Sequence, residues 1–233
     1  MKIKSVILAL SIVPFLFSCK DDDNGPSTGQ GINDSFSTSV QSWKGDFADY
    51  PKDADAFYEL KYSHEKLPAP LDQASKGIFI SGNNHSDDLF MFMKKKVSGL
   101  TPNQTYRMKI SIELASNASN VPGAGGSPGT SVYVKAGMSI KEPVKVLDSR
   151  NYYIMNIDKG HQSQGGADAV VLGNADNGSG KQEYSLIRRS GEFTGKADEN
   201  GEAWVMVGTD SAFEATTALY YTKVEASFTA VKQ

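Results

Sequence analysis

"TYRMKISIEL" (105–114) alternates without a break: Tyr106, Met108, Ile110, Ile112 and Leu114 are apolar, and Arg107, Lys109, Ser111 and Glu113 between them are polar. Successive strand residues point to opposite faces, so this period of two predicts a strand with one face buried and one wet. Working outward, further strands are predicted at "FYELKY" (57–62), "GIFIS" (77–81), "LFMFMKKKV" (89–97), "SVYVKAG" (131–137), "YYIMNI" (152–157), "AVVLG" (169–173), "YSLIRR" (184–189), "AWVMVG" (203–208) and "LYYTKVEASF" (219–228). No stretch sustains a 3.6-residue period long enough for a substantial helix, and the 22 glycines between these runs supply turns. Recurring short strands with turn signals give an all-β, antiparallel sandwich or barrel, and the lack of a fixed repeat excludes propellers and solenoids. Around Phe90 to Met93 and Trp204 to Val207 both faces are apolar. Such strands are covered on both sides, or they turn one face to a ligand groove.

The N-terminus adds an address. Two lysines, an apolar run from Val6 to Phe17 and then Ser18-Cys19 form a leader, because roughly 12 apolar residues fall short of the ~20 that span a bilayer. This layout resembles that of bacterial lipoproteins, in which the cysteine is acylated and becomes the mature N-terminus; Phe17 is bulkier than usual at that point. "KDDDNG" (20–25) is similar to the acidic tag that sends lipoproteins of the Bacteroidota to the outer face of the outer membrane. The expected organisation is a lipoprotein signal peptide over 1–18, acylated Cys19 with a flexible acidic tether over 19–32, and one β-sandwich domain over 33–233. With the only cysteine acylated, no disulfide is available, and about 200 residues must hold together by their core. Losing Lys2 and Lys4 with the leader takes the formal charge from −3 to −5. No basic stripe interleaved with aromatics appears, so nucleic acid is not an expected partner, and Lys94 to Lys96 read as a solvated strand end.

"VSGLTPNQTYRMKI" (97–110) places a proline turn four residues before Tyr106. It resembles the Leu-x-Pro-x-x-x-Tyr corner of fibronectin type III domains, whose tyrosine hydroxyl ties back to nearby backbone. This domain is about twice the ~100 residues of that sandwich, which favours a larger jelly roll. The same strand, "GLTPNQTY", strand sequence is similar to jelly-roll carbohydrate-binding modules. With "GNNHSDDLFMF", "NIDKGHQSQGG" and "VGTDSAFEATTALYY", the stretch from Trp43 to Tyr221 resembles a family of Bacteroidota surface lipoproteins with that fold. The resemblance implies fold and address, and implies no activity.

Catalytic motifs are weak. "GGSPG" (125–129) fits Gly-x-Ser-x-Gly, but a loop precedes Ser127, Pro128 follows it and a strand comes next, so the strand-to-helix elbow of a hydrolase is missing. Neither the Gln-x-His of jelly-roll polysaccharide lyases nor the Glu-x-Asp-x-Glu of sandwich glycosidases is present, although carboxylates from distant strands can converge.

Two polar loops stand out, "SGNNHSDD" (81–88) and "NIDKGHQSQGGAD" (156–168). The second is longer than a hairpin needs and has little to pack, which marks it as a recognition loop. Expected ligand-binding residues are Asp158, Lys159, His161, Gln162 and Gln164 on one loop and His85, Asp87 and Asp88 on the other, facing one another across a polar cleft, with Gly165 and Gly166 admitting a ligand to the backbone. Side chains hydrogen-bonded only within their own loops are the bland alternative. Trp43 and Tyr50, set among polar residues, are read as an aromatic platform for a sugar face, or else Trp43 anchors the first strand; Trp204 is read as core. His85 with Asp87 or Asp88, plus His161, would supply the mixed nitrogen and oxygen donors that suit zinc, although their spacing carries no signature. No cofactor is expected, though Asp34, Asp46, Asp49, Asp210 and Glu214 are available to a structural calcium ion. The leading expectation is a surface lipoprotein, anchored to the outer membrane and facing the exterior, that binds a ligand, a polysaccharide above all. The others are a structural or interaction subunit of a surface complex and a metal- or carboxylate-dependent glycan hydrolase.

Overall fold

The computed structural model describes residues 27–232. The leader, Cys19 and the acidic tag lie outside the described residues. In chain order the strands are β1 (Ser27–Ser35), β2 (Lys44–Ala48), β3 (Tyr50–Pro51), β4 (Lys61–Lys66), β5 (Lys76–Asn83), β6 (Leu89–Val97), β7 (Thr105–Ser116), β8 (Val132–Ser139), β9 (Lys145–Leu147), β10 (Tyr152–Met155), β11 (Ala169–Asn174), β12 (Ser185–Lys196), β13 (Ala203–Ser211) and β14 (Thr216–Ala230). No helix occurs among the described residues.

The domain is an all-β antiparallel sandwich. One sheet runs β12-β7-β14-β5-β4; the second runs β11-β8-β13-β6-β2; a small third sheet is β3-β10-β9. Strand β14 is 15 residues long and serves two neighbours on one edge. Thr216 to Tyr221 pair with β5, and Lys223 to Thr229 pair with β1.

The predicted inward set of β7 is buried as a block, Tyr106, Met108, Ile110, Ile112 and Leu114. It packs against Met91, Met93, Val134, Ala136, Val205 and Val207 of the second sheet. Each such side chain contributes about 1.5–3 kcal/mol when fully removed from water. The Tyr106 hydroxyl accepts a 2.8 Å hydrogen bond from the Thr101 backbone N–H, the tie expected of the corner.

The far face of the second sheet is covered too. Phe90, Phe92, Met206 and Ala169 pack there under Ala48, Met155 and Ile157. This explains why β6 is apolar on both sides, and it places the small sheet and the 156–168 loop as a lid on that face.

Three element readings are corrected. Residues 57–59 of the predicted 57–62 strand lie in a turn: Tyr58 N–H bonds Ala54 O, Glu59 has φ +51°, and only Lys61 and Tyr62 enter β4. β1 begins at Ser27, inside the segment read as tether, with Ser27 opposite Thr229 and Gly31 opposite Ser227. The lysine run is solvated only at its end: Lys96 stays exposed while pairing with Glu202, whereas buried Lys94 pairs with Glu142 and half-buried Lys95 with Asp34.

Candidate functional site

Where β10 ends, Ile157 plugs the covered face and the chain turns back on itself. Asp158 organises that turn. Its carboxylate accepts the N–H groups of Gly160 and Ala167, which hold it below the usual carboxylate range. Its own N–H donates to Asp168 Oδ2 at 2.9 Å. Gly166 answers to this closure rather than to a ligand, because a Cβ there would lie 2.1 Å from Asp158 Oδ1. For Asp158 the own-loop reading therefore holds.

Lys159 points the other way, into the protein. Its Nζ lies 2.8 Å from Asp210 Oδ2 and 2.9 Å from Asp49 Oδ2, above the Phe90 ring. The Asp49 contact is an ion pair set off the hydrogen-bonding direction. Lys135, fully buried in β8, reaches the same place. Its ammonium donates to Asp210 Oδ2 at 2.7 Å and to the carbonyls of Lys159 and Gln164 at 3.0 Å each, so all three protons are used. Asp210 Oδ2 also accepts the Gln162 N–H at 3.0 Å. Gln164, expected to offer its side chain to a ligand, instead gives its backbone carbonyl to Lys135, which clamps the loop to the sheet.

Asp88 completes the group. Carboxylate oxygens of Asp49, Asp88 and Asp210 lie within 4.8 Å of one another. Burial, and then the neighbouring Asp210, push the Asp88 carboxyl up to about 7. Burial also raises Asp49 despite Lys159, whereas Lys159 and Lys135 overcome burial to hold Asp210 low. With Asp88 neutral, two ammonium groups balance two carboxylates.

The two loops do meet. His161 Nε2 is 3.4 Å from Asp88 Oδ2, and Gln162 Nε2 donates to Asp87 O at 2.7 Å. His85 does not join them. Its ring stacks on Phe57 at 4.1 Å and meets Tyr58 edge-on. A metal on His85, Asp87 and His161 is corrected: among the described residues the His, Cys, Asp and Glu ligand atoms that converge within 4.8 Å are those of Asp49, Asp88 and Asp210, without these three. Four of the five carboxylates read as available to calcium face lysines of the protein instead. Lys159 and Lys135 stand where a cation would neutralise Asp49 and Asp210. Asp34 takes Trp43 Nε1–H and Lys95, and Asp46 pairs with Lys145.

The expected platform is also corrected. Trp43 is 2 % exposed, edge-on to Phe36 with Nε1 donating to Asp34 at 2.8 Å, so it anchors the first strand. Tyr50 is buried, its hydroxyl donating to Asp55 and accepting from Lys145. Trp204 leaves the core instead, half-exposed on the far face of its sheet between Lys94 and Lys96.

The exposed aromatic is Phe57, at 64 %. It stacks on His85, whose ring meets Tyr58 edge-on, and Tyr152 neighbours the Tyr58 hydroxyl. His85 is two residues from Asp87, which takes the Gln162 side chain, so the pair forms an aromatic ledge next to the joined loops in sequence.

No protein-family model and no curated protein sequence matches the chain. Solved structures do. The xylan-binding CBM22-1 domain of Paenibacillus barcinonensis Xyn10C is 11 % identical, with 91 % of this chain and 98 % of that one covered at a TM-score of 0.38. The K1 cleaved adhesin domain of Lys-gingipain from Porphyromonas gingivalis W83 is 10 % identical, with 85 % and 98 % covered at 0.40. The enzymatically active domain of bacteriophage CBA120 tailspike protein 4 is 7 % identical at 0.37, and the match spans 83 % of this chain and 20 % of that one. At such scores the likeness says nothing of what this chain binds.

The site, seen from its own residues, has two parts. A buried knot of Asp49, Asp88, Asp210, Lys135 and Lys159 locks the loops to the sheet, and the ledge of Phe57 and His85 sits beside it. The sequence signal for the knot was present: Lys135 and Asp210 are lone charges in apolar runs, "VYVKAG" and "WVMVGTD".

Proposed function

We propose that this domain binds a glycan at the Phe57–His85 ledge, displayed on the cell exterior by a lipid on Cys19. The carrying observation is that Phe57 stays 64 % exposed although the neighbouring His85 ring orders it from one side. An exposed apolar ring ordered by a stacked imidazole, on a loop joined to a second polar loop, suits the mixed apolar and hydroxyl surface of a sugar. Asp87, two residues after His85, and the Gln162 and His161 that meet the 84–88 loop are the hydrogen-bonding groups assigned to the same site. The lipid anchor and outward orientation are supported by the leader, Cys19 and the acidic run alone.

A panel of plant, host and microbial polysaccharides, run by affinity electrophoresis and calorimetry, tests the reading. Phe57→Ala is expected to weaken binding about tenfold or more, in line with the loss of a stacking aromatic, and to leave the melting temperature unchanged. No binding by the unaltered protein, or binding indifferent to Phe57→Ala, overturns it.

A further inference from the structure

The knot contains an accounting gap. Asp88 Oδ1 and Asp210 Oδ1 are both sealed from solvent and have no hydrogen-bond partner, although every proton of the Lys135 ammonium is already committed elsewhere. Buried carboxylate oxygens left bare are costly, and two of them on neighbouring acids repel. One added proton cures both faults at once: carried by Asp88, it donates to Asp210, and the five groups sum to zero charge.

We propose that this proton, held between Asp88 and Asp210, is the pin of a latch that fastens the 84–88 loop to the 156–168 loop. The groups facing Asp88 come from every element around it: Asp210 on β13, Lys135 on β8, Asp49 in the β2–β3 connection, and Lys159 and His161 on the long loop. When the Asp88 O–H bond breaks and its proton passes to water, three carboxylates face two ammonium groups in a largely buried space. Lys135 has no further proton to offer Asp88, and Lys159 is already drawn to Asp210, the Gly160 carbonyl and the Asp49 carboxylate. The least costly relief is for Asp88, the most exposed of the three acids, to swing toward solvent. That movement pulls on the Gln162 Nε2–Asp87 O bridge one residue away. Burial and Asp210 together put the transition near neutrality.

His85, three residues before Asp88, forms half of the aromatic ledge, so the latch would also set ligand affinity. That consequence rests on the proposed glycan reading, whereas the latch itself does not.

The test needs no ligand. Side-chain carboxyl NMR of the aspartate-labelled full chain should show Asp88 titrating near neutral pH. Amide exchange should show the Gln162 N–H, bonded to Asp210, losing about tenfold or more protection between pH 5.5 and 8.5 relative to amides of β7, the mark of local opening. Asp88→Asn, whose amide can donate permanently, should keep that protection at both values. An Asp88 carboxyl titrating in the ordinary range near 4 overturns the latch even if Asp88→Asn fails to fold. So does protection that does not change with pH, or an Asp88→Asn chain that opens as the unaltered one does. Glycan binding then stands or falls separately, on Phe57→Ala.

Discussion

Lys135 shows what a charge needs in order to sit at the centre of a sheet. Its three donors meet three acceptors, two of them carbonyls of a loop some 25 residues on, so the side chain serves as a strut between β8 and 156–168. Lys135→Met should cost about 3–5 kcal/mol in urea unfolding, because Asp210 stays buried with less compensation. Adding Asp210→Leu should return part of that loss, since removing both charges relieves what removing one exposes. Asp88 gives a pH signature of definite sign. Its folded value, about 7, is above its unfolded value, so the folded state holds the extra proton. Stability then declines as pH rises from about 4 to about 7. Asp210, held low, acts oppositely and only at acid pH. The melting temperature should be higher at pH 5 than at pH 8, and Asp88→Asn should flatten the difference. Lys135 and Asp210 were visible in the sequence as misfits in apolar runs. Their partnership was not, because it depends on the register that sets Lys135 opposite Gly208 and Asp210 opposite Tyr133.

Among the elements, those with side-chain patterns were legible and those held by backbone alone were not. β6 and β7 fall where alternation or continuous apolarity put them. β1 escaped because Ser27 to Gly31 bring no apolar pattern; the ladder to β14 is made of N–H and C=O groups that every residue has. The glycine is part of the fit, as a Cβ on Gly31 would lie 2.8 Å from Ala226 O. A chain begun at Ile32 should therefore melt lower than one begun at Ser27, by about 2–4 °C for each kcal/mol of ladder lost. Equal melting temperatures would show that those pairs add nothing. The 57–62 stretch misled for a related reason. Phe57 and Tyr58 are β-formers in composition, yet the preceding "PKDADA" is turn chemistry, and the chain closes a turn there.

For the molecule as a whole, the sandwich and its covered far face share β6, whose Met91 and Met93 enter the main core while Phe90 and Phe92 enter the second cluster. A strand common to both cannot leave one intact while the other melts, so thermal unfolding should be a single transition with a β-dominated circular dichroism spectrum. Two separable transitions would contradict this. The dual pairing of β14 has a mechanical consequence. Its Thr216 end lies opposite Asn83, two residues from His85, and its Thr229 end lies opposite Ser27, where the described chain begins. Those ends are roughly 40 Å apart along the strand at about 3.3 Å per residue. A pull between the N-terminus and a captured ligand would thus run lengthwise down β14, loading the β1–β14 hydrogen bonds together in shear rather than one at a time in peel, the stronger way to hold a sheet against flow.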